Sequence, residues 1–258
     1  MPAPGATIVN LKGVGKSFAN GTQAIARLDL DVRAGEFLTL LGPSGCGKST
    51  ALRLIASLTA PTHGTVAWAG DGLSGKAGDI GFVFQEPTLM PWATVAKNVA
   101  LPLRLKHLPD RDIRRRCADA LARVGLTGFE NSYPRELSGG MKMRVSIARA
   151  LVTDAKILLM DEPFAALDEI TRFKLNNDLM ALAHTLGMTV VFVTHSVFES
   201  VFLSTRVVVM TARPGRVFCE LTIDAPTPRT DIFRTSMEYA GYCRRTSEAL
   251  QAAIEARP

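Results

Sequence analysis

Short, almost unbroken apolar runs recur along the chain: Phe37 to Leu41, Ile80 to Phe84, Ile157 to Met160 and Met188 to Thr194. A strand-length run without alternation suits a strand covered on both faces, as in a parallel sheet. Thr7 to Leu11 and Ala24 to Val32 are β-prone and split by the turn Ala19-Asn20-Gly21-Thr22, which predicts an antiparallel flap ahead of the Phe37 strand. Gly64 to Trp68 predicts another strand, followed by a glycine-rich hairpin leading into Ile80. Arg206 to Met210 and Arg216 to Ile223 predict two more, joined by a turn at Arg213-Pro214-Gly215.

Between these strands the period changes. Ala51-Leu52-Arg53-Leu54-Ile55 opens a helix, and from Pro102 to about Leu151 the pattern is helical with no strand-like alternation. An amphipathic helix follows Asp168 and should stop at Gly187, and residues 235 to 256 predict a closing helix. The expected architecture is α/β: a mainly parallel core sheet, an antiparallel β flap and an inserted helical subdomain. One domain is expected over 1–258, with flap and core at about 6–90, the helical insertion at about 91–150, and core plus C-terminal helix at about 151–258.

The chemistry concentrates where strands end. After the Phe37 run comes Gly42-Pro43-Ser44-Gly45-Cys46-Gly47-Lys48-Ser49-Thr50, and a helix follows. Its glycines allow turns that aim successive backbone N–H groups into one cavity, and the helix aims its positive end there too. Lys48 adds a mobile charge for the β and γ phosphates of a nucleotide, and the Ser49 hydroxyl suits Mg²⁺. Asp161 and Glu162 end the Ile157 run: Asp161 suits Mg²⁺ through water, and Glu162 suits a water attacking the γ-phosphate. His195 leaves the Met188 strand at the same kind of end, whereas His63, His107 and His184 fall in loop or helix settings. Gln85 suits either a metal or water site or a plain strand end, and Phe18 either a nucleotide base or a strand face.

A second anion site is expected at Ser138-Gly139-Gly140, where Ser138 caps a helix and two glycines leave its start open to a ligand. Because the first loop already surrounds one triphosphate, the economical occupant is the γ-phosphate held by a second copy of the chain. The apolar loop Glu86 to Val95, with two prolines and Trp92, reads either as a buried connection or as a docking surface.

Composition narrows the partners. Apolar residues make up 47% of 258 and charged residues 21%, which is globular. No apolar run approaches the roughly 20 residues that cross a bilayer, and Met1-Pro2-Ala3-Pro4-Gly5 has no basic n-region, so the chain is expected to stay in the cytosol. The net charge of +6 permits attraction to nucleic acid or anionic lipid. Its densest cluster, Arg111, Arg114, Arg115 and Arg116, reads as the polar face of an amphipathic helix, and no nucleic acid partner is expected. Cys46, Cys117, Cys219 and Cys243 form no C-x-x-C pair; loop amides around Cys46 should favour its thiolate and make it alkylatable.

Taken in order, these residues resemble the ATP-binding cassette ATPases over nearly the whole chain. In that family's terms Gly42 to Ser49 is the Walker A loop, Gln85 the Q-loop glutamine and Leu137-Ser138-Gly139-Gly140-Met141 the signature. Ile157 to Asp161 is Walker B, Glu162 its catalytic glutamate, Ala165 to Asp168 the D-loop, His195 the switch histidine, and Phe18 the A-loop aromatic. The resemblance implies ATP and Mg²⁺ as ligands and a head-to-tail dimer in which each ATP lies between Walker A of one copy and the signature of the other. It also implies separate integral membrane permease subunits, an indirect solute-binding protein, and a place on the cytoplasmic face of the cell membrane. Met141, Lys142-Met143, Phe18 and Ser196 depart from commoner residues without removing a group the chemistry needs. Phe84 to Trp92 and Thr211 to Val217 look like the nitrate, sulfonate and taurine import group, with the Thr88 to Trp92 region helping to receive the permease's coupling helix. Importers of pyrimidine precursors share these features, and a cassette ATPase acting without a transporter is the remaining alternative.

Overall fold

The computed structural model describes residues 5–69 and 79–256, so the glycine-rich hairpin expected before Ile80 lies outside the described residues. Strands β1 (Thr7–Ser17) and β2 (Gln23–Arg33) form an antiparallel ribbon and lead into β3 (Phe37–Leu41). Strand β1 runs past the expected Leu11 because register shifts between Leu11 and Lys16 interrupt the alternation without ending the pairing. Then come α1 (Lys48–Ile55), β4 (His63–Trp68) and β5 (Ile80–Val83). His63 is therefore the first residue of a strand rather than a loop residue, and its ring fills the space a Cβ on Gly15 would need.

The helical part holds α2 (Val95–Leu105), α3 (Asp110–Arg123), a 3-10 turn at Pro134–Glu136 and α4 (Gly139–Leu151). Helix α2 starts seven residues before the Pro102 start expected from sequence. The Thr94 side chain caps it by accepting from the Lys97 N–H, and Pro102 sits inside it. The rest is β6 (Ile157–Asp161), α5 (Glu169–Leu186), β7 (Thr189–Thr194), α6 (Val197–Leu203), β8 (Arg206–Met210), β9 (Gly215–Thr222), α7 (Asp231–Arg234) and α8 (Met237–Glu255). Gly187 ends α5 at φ 57, as the sequence predicts.

The described strands make one sheet in the order β4-β1-β2-β9-β8-β3-β7-β6-β5. From β8 to β5 every pairing is parallel, and β1, β2 and β4 form the antiparallel flap. Alternate residues of the central strands enter two separate cores. Leu38, Leu40, Leu159, Val191 and Val193 pack with α1 and the flap, while Leu158, Met160, Val190 and Phe192 pack with α2 to α6 and α8. This two-sided cover explains the unbroken apolar runs. Strand β5 is the exception: it lies at the sheet edge and is only half-buried, so Gln85 does not leave a fully buried strand. Register fixes the site: Leu41 pairs with Thr194 and Asp161 with Val193, so the residues after β3, β6 and β7 emerge side by side at the C-terminal edge.

Candidate active site

The phosphate loop follows β3 and ends at Lys48, the first residue of α1. Gly45 and Gly47 take φ of 75° and 96°, and a Cβ at Gly47 would stand 2.7 Å from the Ala24 carbonyl oxygen. Lys48 is buried, 3% exposed, with Nζ donating to the carbonyls of Gly42 at 2.8 Å and Pro43 at 3.0 Å. The same ammonium lies 3.6 Å from Glu162 Oε1. Ser49 Oγ donates to Asp161 Oδ1 at 2.6 Å, so loop and carboxylate strand meet through one hydrogen bond. Burial holds the Asp161 carboxyl above its usual range, and the Ser49 hydroxyl and the Arg53 and Lys48 charges oppose that rise. A buried carboxylate beside a serine hydroxyl is a donor set that a hard divalent cation would complete.

Glu162 takes φ 44°, a left-handed conformation that costs a non-glycine residue of order 1 kcal/mol and marks a constrained position. Its N–H donates to the Val193 carbonyl, and its Oε2 lies 3.0 Å from Nδ1 of His195. Glu162 thus sits between Lys48 and His195. If Nδ1 carries the hydrogen, the carboxylate fixes the imidazole and leaves Nε2 free to accept or, when protonated, to donate. Ser196 caps α6 by accepting from the Glu199 N–H at 3.3 Å, doing the local work of an aspartate there.

The structure brings Lys48, Ser49, Asp161, Glu162 and His195 together. Gln85 lies exposed two residues beyond β5, Ser44 is exposed and Thr50 half-buried on α1. Phe18, just past the end of β1, is 42% exposed with the Lys16 ammonium 5.5 Å from its ring centre, so the ring is not part of the core. Cys46 departs from expectation: it is 1% exposed, and desolvation raises its thiol pKa despite Lys48 and the loop amides.

A second cluster forms at the starts of α4 and α5. Ser138 Oγ accepts from the Met141 N–H at 3.3 Å and Asp168 accepts from the Thr171 N–H at 2.9 Å, which holds the Asp168 carboxyl below its usual range. Added Cβ atoms would lie 3.2 Å from Leu167 at Gly139 and 2.7 Å from Thr171 at Gly140. Gly140 is therefore required by packing against α5, so of the two glycines expected to leave the helix start open only Gly139 does. Among the described residues no hydrogen bond or ion pair joins this cluster directly to the first.

Four residues to which the sequence assigns no role at the site also shape it. Arg213 donates from Nε to the Gly45 carbonyl at 3.3 Å, clasping the phosphate loop from the β8–β9 turn. Arg149 donates to the Pro87 and Thr88 carbonyls and the Thr88 hydroxyl, and Asn98 holds the backbone of Met90, Ala93 and Thr94. Together they shape the loop on which Trp92 stands 77% exposed. Glu199, buried behind His195, accepts from Thr194.

Comparison with known proteins agrees with this geometry. The ABC transporter family profile matches residues 25–165. The chain is 48% identical over 244 residues to an uncharacterized ABC transporter ATP-binding protein of Methanocaldococcus jannaschii, covering 95% of this chain and 90% of that one. It is 44% identical over 222 residues to the aliphatic sulfonates import ATP-binding protein SsuB of Bacillus licheniformis, covering 86% of each. Among solved structures, a dimeric bacterial ABC transporter cassette superposes with TM-score 0.73 at 35% identity, covering 85% of this chain and 100% of that one. The same cassette has been solved as a dimer in a post-hydrolysis state bound to ADP and phosphate. CbiO1 of Clostridium perfringens, part of the transporter complex CbiONQ, gives 0.76 at 27% identity over 89% and 91% of the two chains. No helix among the described residues is long and apolar enough to cross a membrane. With a phosphate loop, paired carboxylates and a histidine assembled at one sheet edge, and with these likenesses, the chain belongs to the ABC transporter family and is an ATP-binding cassette ATPase.

Proposed function

We propose that this ATPase is the energy-coupling subunit of an importer, working from the cytoplasmic face of the membrane through separate permease subunits that a solute-binding protein supplies. The names borne by SsuB relatives support import, and a small organic anion of the sulfonate type is the solute class they favour. Two copies pair head to tail. Each ATP is held by Phe18, Gly42 to Thr50 and Gln85 of one copy and by Ser138, Gly139, Gly140 and Asp168 of the other. Mg²⁺ would be held by Ser49, Gln85 and, through water, Asp161, where it would neutralise phosphate charge. Glu162 orients the attacking water and takes its proton, His195 contacts the γ-phosphate, and Lys48 neutralises developing charge.

The observation that carries this reading is the ladder Lys48–Glu162–His195, at 3.6 and 3.0 Å, beside the Ser49–Asp161 hydrogen bond. A cation, a carboxylate and an imidazole this close together support their acting on one phosphoryl group. Glu162→Gln tests it: ATP should bind as in the parent, turnover should fall at least a hundredfold, and ATP should trap a dimer visible by size-exclusion chromatography. Parent-rate hydrolysis by this variant would remove Glu162 from the reaction. The solute is tested by co-purifying the permease and measuring ATPase stimulation by aliphatic sulfonates, taurine, nitrate and pyrimidine precursors.

A further inference from the structure

The two polar clusters of the site are joined by a chain of side chains that is half-buried at Arg172 and buried at Glu199 and Thr194. Arg172, in the first turn of α5, donates from Nη2 to the Leu167 carbonyl of the D-loop at 2.8 Å. Its Nε lies 4.0 Å from Glu199 Oε1, and Glu199 is 7% exposed in the first turn of α6. The other Glu199 oxygen accepts from the Thr194 hydroxyl at 2.5 Å, and the Thr194 oxygen accepts the Ser196 N–H at 3.0 Å. Thr194 is the last residue of β7, so Thr194 and Ser196 grip the backbone on both sides of His195. The order is D-loop, Arg172, Glu199, Thr194, His195.

Packing alone does not account for this chain. Arg172 Nε and Asn176 Oδ1 are buried without a hydrogen-bond partner, the Arg172–Glu199 pair is loose at 4.0 Å, and all three residues belong to the junction of α5 and α6. Burial raises the Glu199 pKa, while Thr194, Arg172, Asn176 and His195 oppose the rise. Arg234 of α7 closes the junction from the C-terminal side, its guanidinium 3.5 Å from the Phe202 ring centre and its Nε 3.6 Å from Asp231 Oδ1. A junction serving only to stick two helices together would be held more cheaply by apolar side chains of the same volume. A charged one with slack in it can take up two arrangements as its loops move.

We propose that Arg172, Glu199 and Thr194 are positioning residues that fix the His195 loop to the D-loop. The imidazole of one site and the Asp168 that the chain presents to its partner copy then move together. This inference rests on the head-to-tail reading of the site. It assigns a coupling role to residues that touch neither nucleotide nor reacting water.

The test is steady-state ATPase kinetics on the purified full chain with Thr194→Val, Glu199→Gln, Arg172→Met and the double variant Thr194→Val/Arg172→Met. Each single variant should lose five- to twentyfold in kcat with KM for ATP within twofold and melting temperature within a few degrees. The double variant should be no slower than the slower single, since both changes break one chain. In Thr194→Val the His195 imidazole proton signals, assigned against His195→Gln, should shift as the loop loses its anchor. Parent-like kcat in all three singles, multiplicative losses in the double, or unmoved His195 signals would overturn the proposal. If Arg172→Met fails to fold, Thr194→Val decides alone, because it replaces a hydroxyl by a methyl at nearly constant volume. Lys48→Ala and Glu162→Gln run in the same assay separate the two failures: turnover surviving in these controls would discredit the site itself.

Discussion

Asn98 is fully buried on α2 and makes the exposed Trp92 loop a shaped object rather than a slack connection. Its Oδ1 accepts from the Met90 N–H at 2.7 Å, and its Nδ2 is shared among the carbonyls of Met90 at 3.2 Å, Ala93 at 3.0 Å and Thr94 at 3.1 Å. Alanine at this position removes an acceptor and two donor hydrogens and leaves their partners in a dry interior. At about 1 kcal/mol net per hydrogen bond, the loss is about 2–3 kcal/mol, the lower end applying if water enters the space. For a chain of this size that lowers the melting temperature by roughly 5–10 °C. Thermal unfolding followed by far-UV circular dichroism measures the global term. Time-resolved anisotropy of Trp92, in a Trp68→Phe background, measures the local one and should report faster motion. Basal ATPase should persist in the folded variant, because Asn98 touches no site residue, while stimulation by co-purified permease should fall. A melting temperature within about 1 °C of the parent together with unchanged anisotropy would refute the reasoning and give the shaping of the loop to Pro87 and Pro91 instead.

Three further outcomes follow from the site. Burial raises the Asp161 pKa from its usual 3.8, so folding takes up a proton there: the contribution is full below 3.8 and is lost as pH rises through the raised value. Asp161→Asn should therefore be more stable than the parent at pH 7.5, with a gap that closes toward pH 4, while Mg²⁺-dependent ATPase is lost; a variant less stable at pH 7.5 contradicts this. Burial pushes the Cys46 thiol up, so it carries less thiolate than a free cysteine at pH 7.5, and it is almost inaccessible. Iodoacetamide should label it at least tenfold more slowly than a free thiol peptide, and stoichiometric labelling within minutes would show the loop to be open. Phe18→Ala should raise KM for ATP about fivefold, from about 1 kcal/mol of lost ring stacking, whereas Phe18→Tyr should stay within twofold; equal effects of the two changes would remove the ring from the nucleotide.

How legible the molecule was depended on whether each feature is local. Strands β3, β6 and β7 declared themselves because cover on both faces leaves no polar position in Leu38-Thr39-Leu40 or Leu158-Leu159-Met160 except one buried threonine. The start of α2 was hidden because Pro102 imitates a first-turn proline while the true cap, Thr94, stands just after an apolar loop. The phosphate loop, carboxylates and histidine could be named one by one, but their contact could not. It depends on β7 lying between β3 and β6, an order that does not follow the order of the strands along the chain and is settled by packing. Cys46 differs from its sequence expectation for the same reason: neighbouring amides are local, whereas its burial comes from the tertiary fold around the loop. Arg172, Asn98 and Arg149 looked like ordinary polar residues on helices, since nothing local distinguishes a buried polar side chain from a solvated one.

The glycines of the signature show how one residue can meet two demands. Ser138 accepts the Met141 N–H as a cap, which leaves its hydroxyl hydrogen to be donated elsewhere, so capping and ligand recognition do not compete. Gly139 keeps the helix start approachable, whereas Gly140 brings α4 onto Thr171 of α5. Thr171 is the residue whose N–H Asp168 accepts, and Arg172 beside it holds the Leu167 carbonyl. The close approach at Gly140 therefore fixes Ser138 relative to Asp168, while Arg172 and Glu199 tie that pair to His195. A larger residue at Gly140 would move the whole second cluster off the first before it met any ligand. The spacing of Ser138, Asp168 and His195 within one chain is thus set by intrachain packing, and the second copy proposed to bind across it would meet a surface already formed.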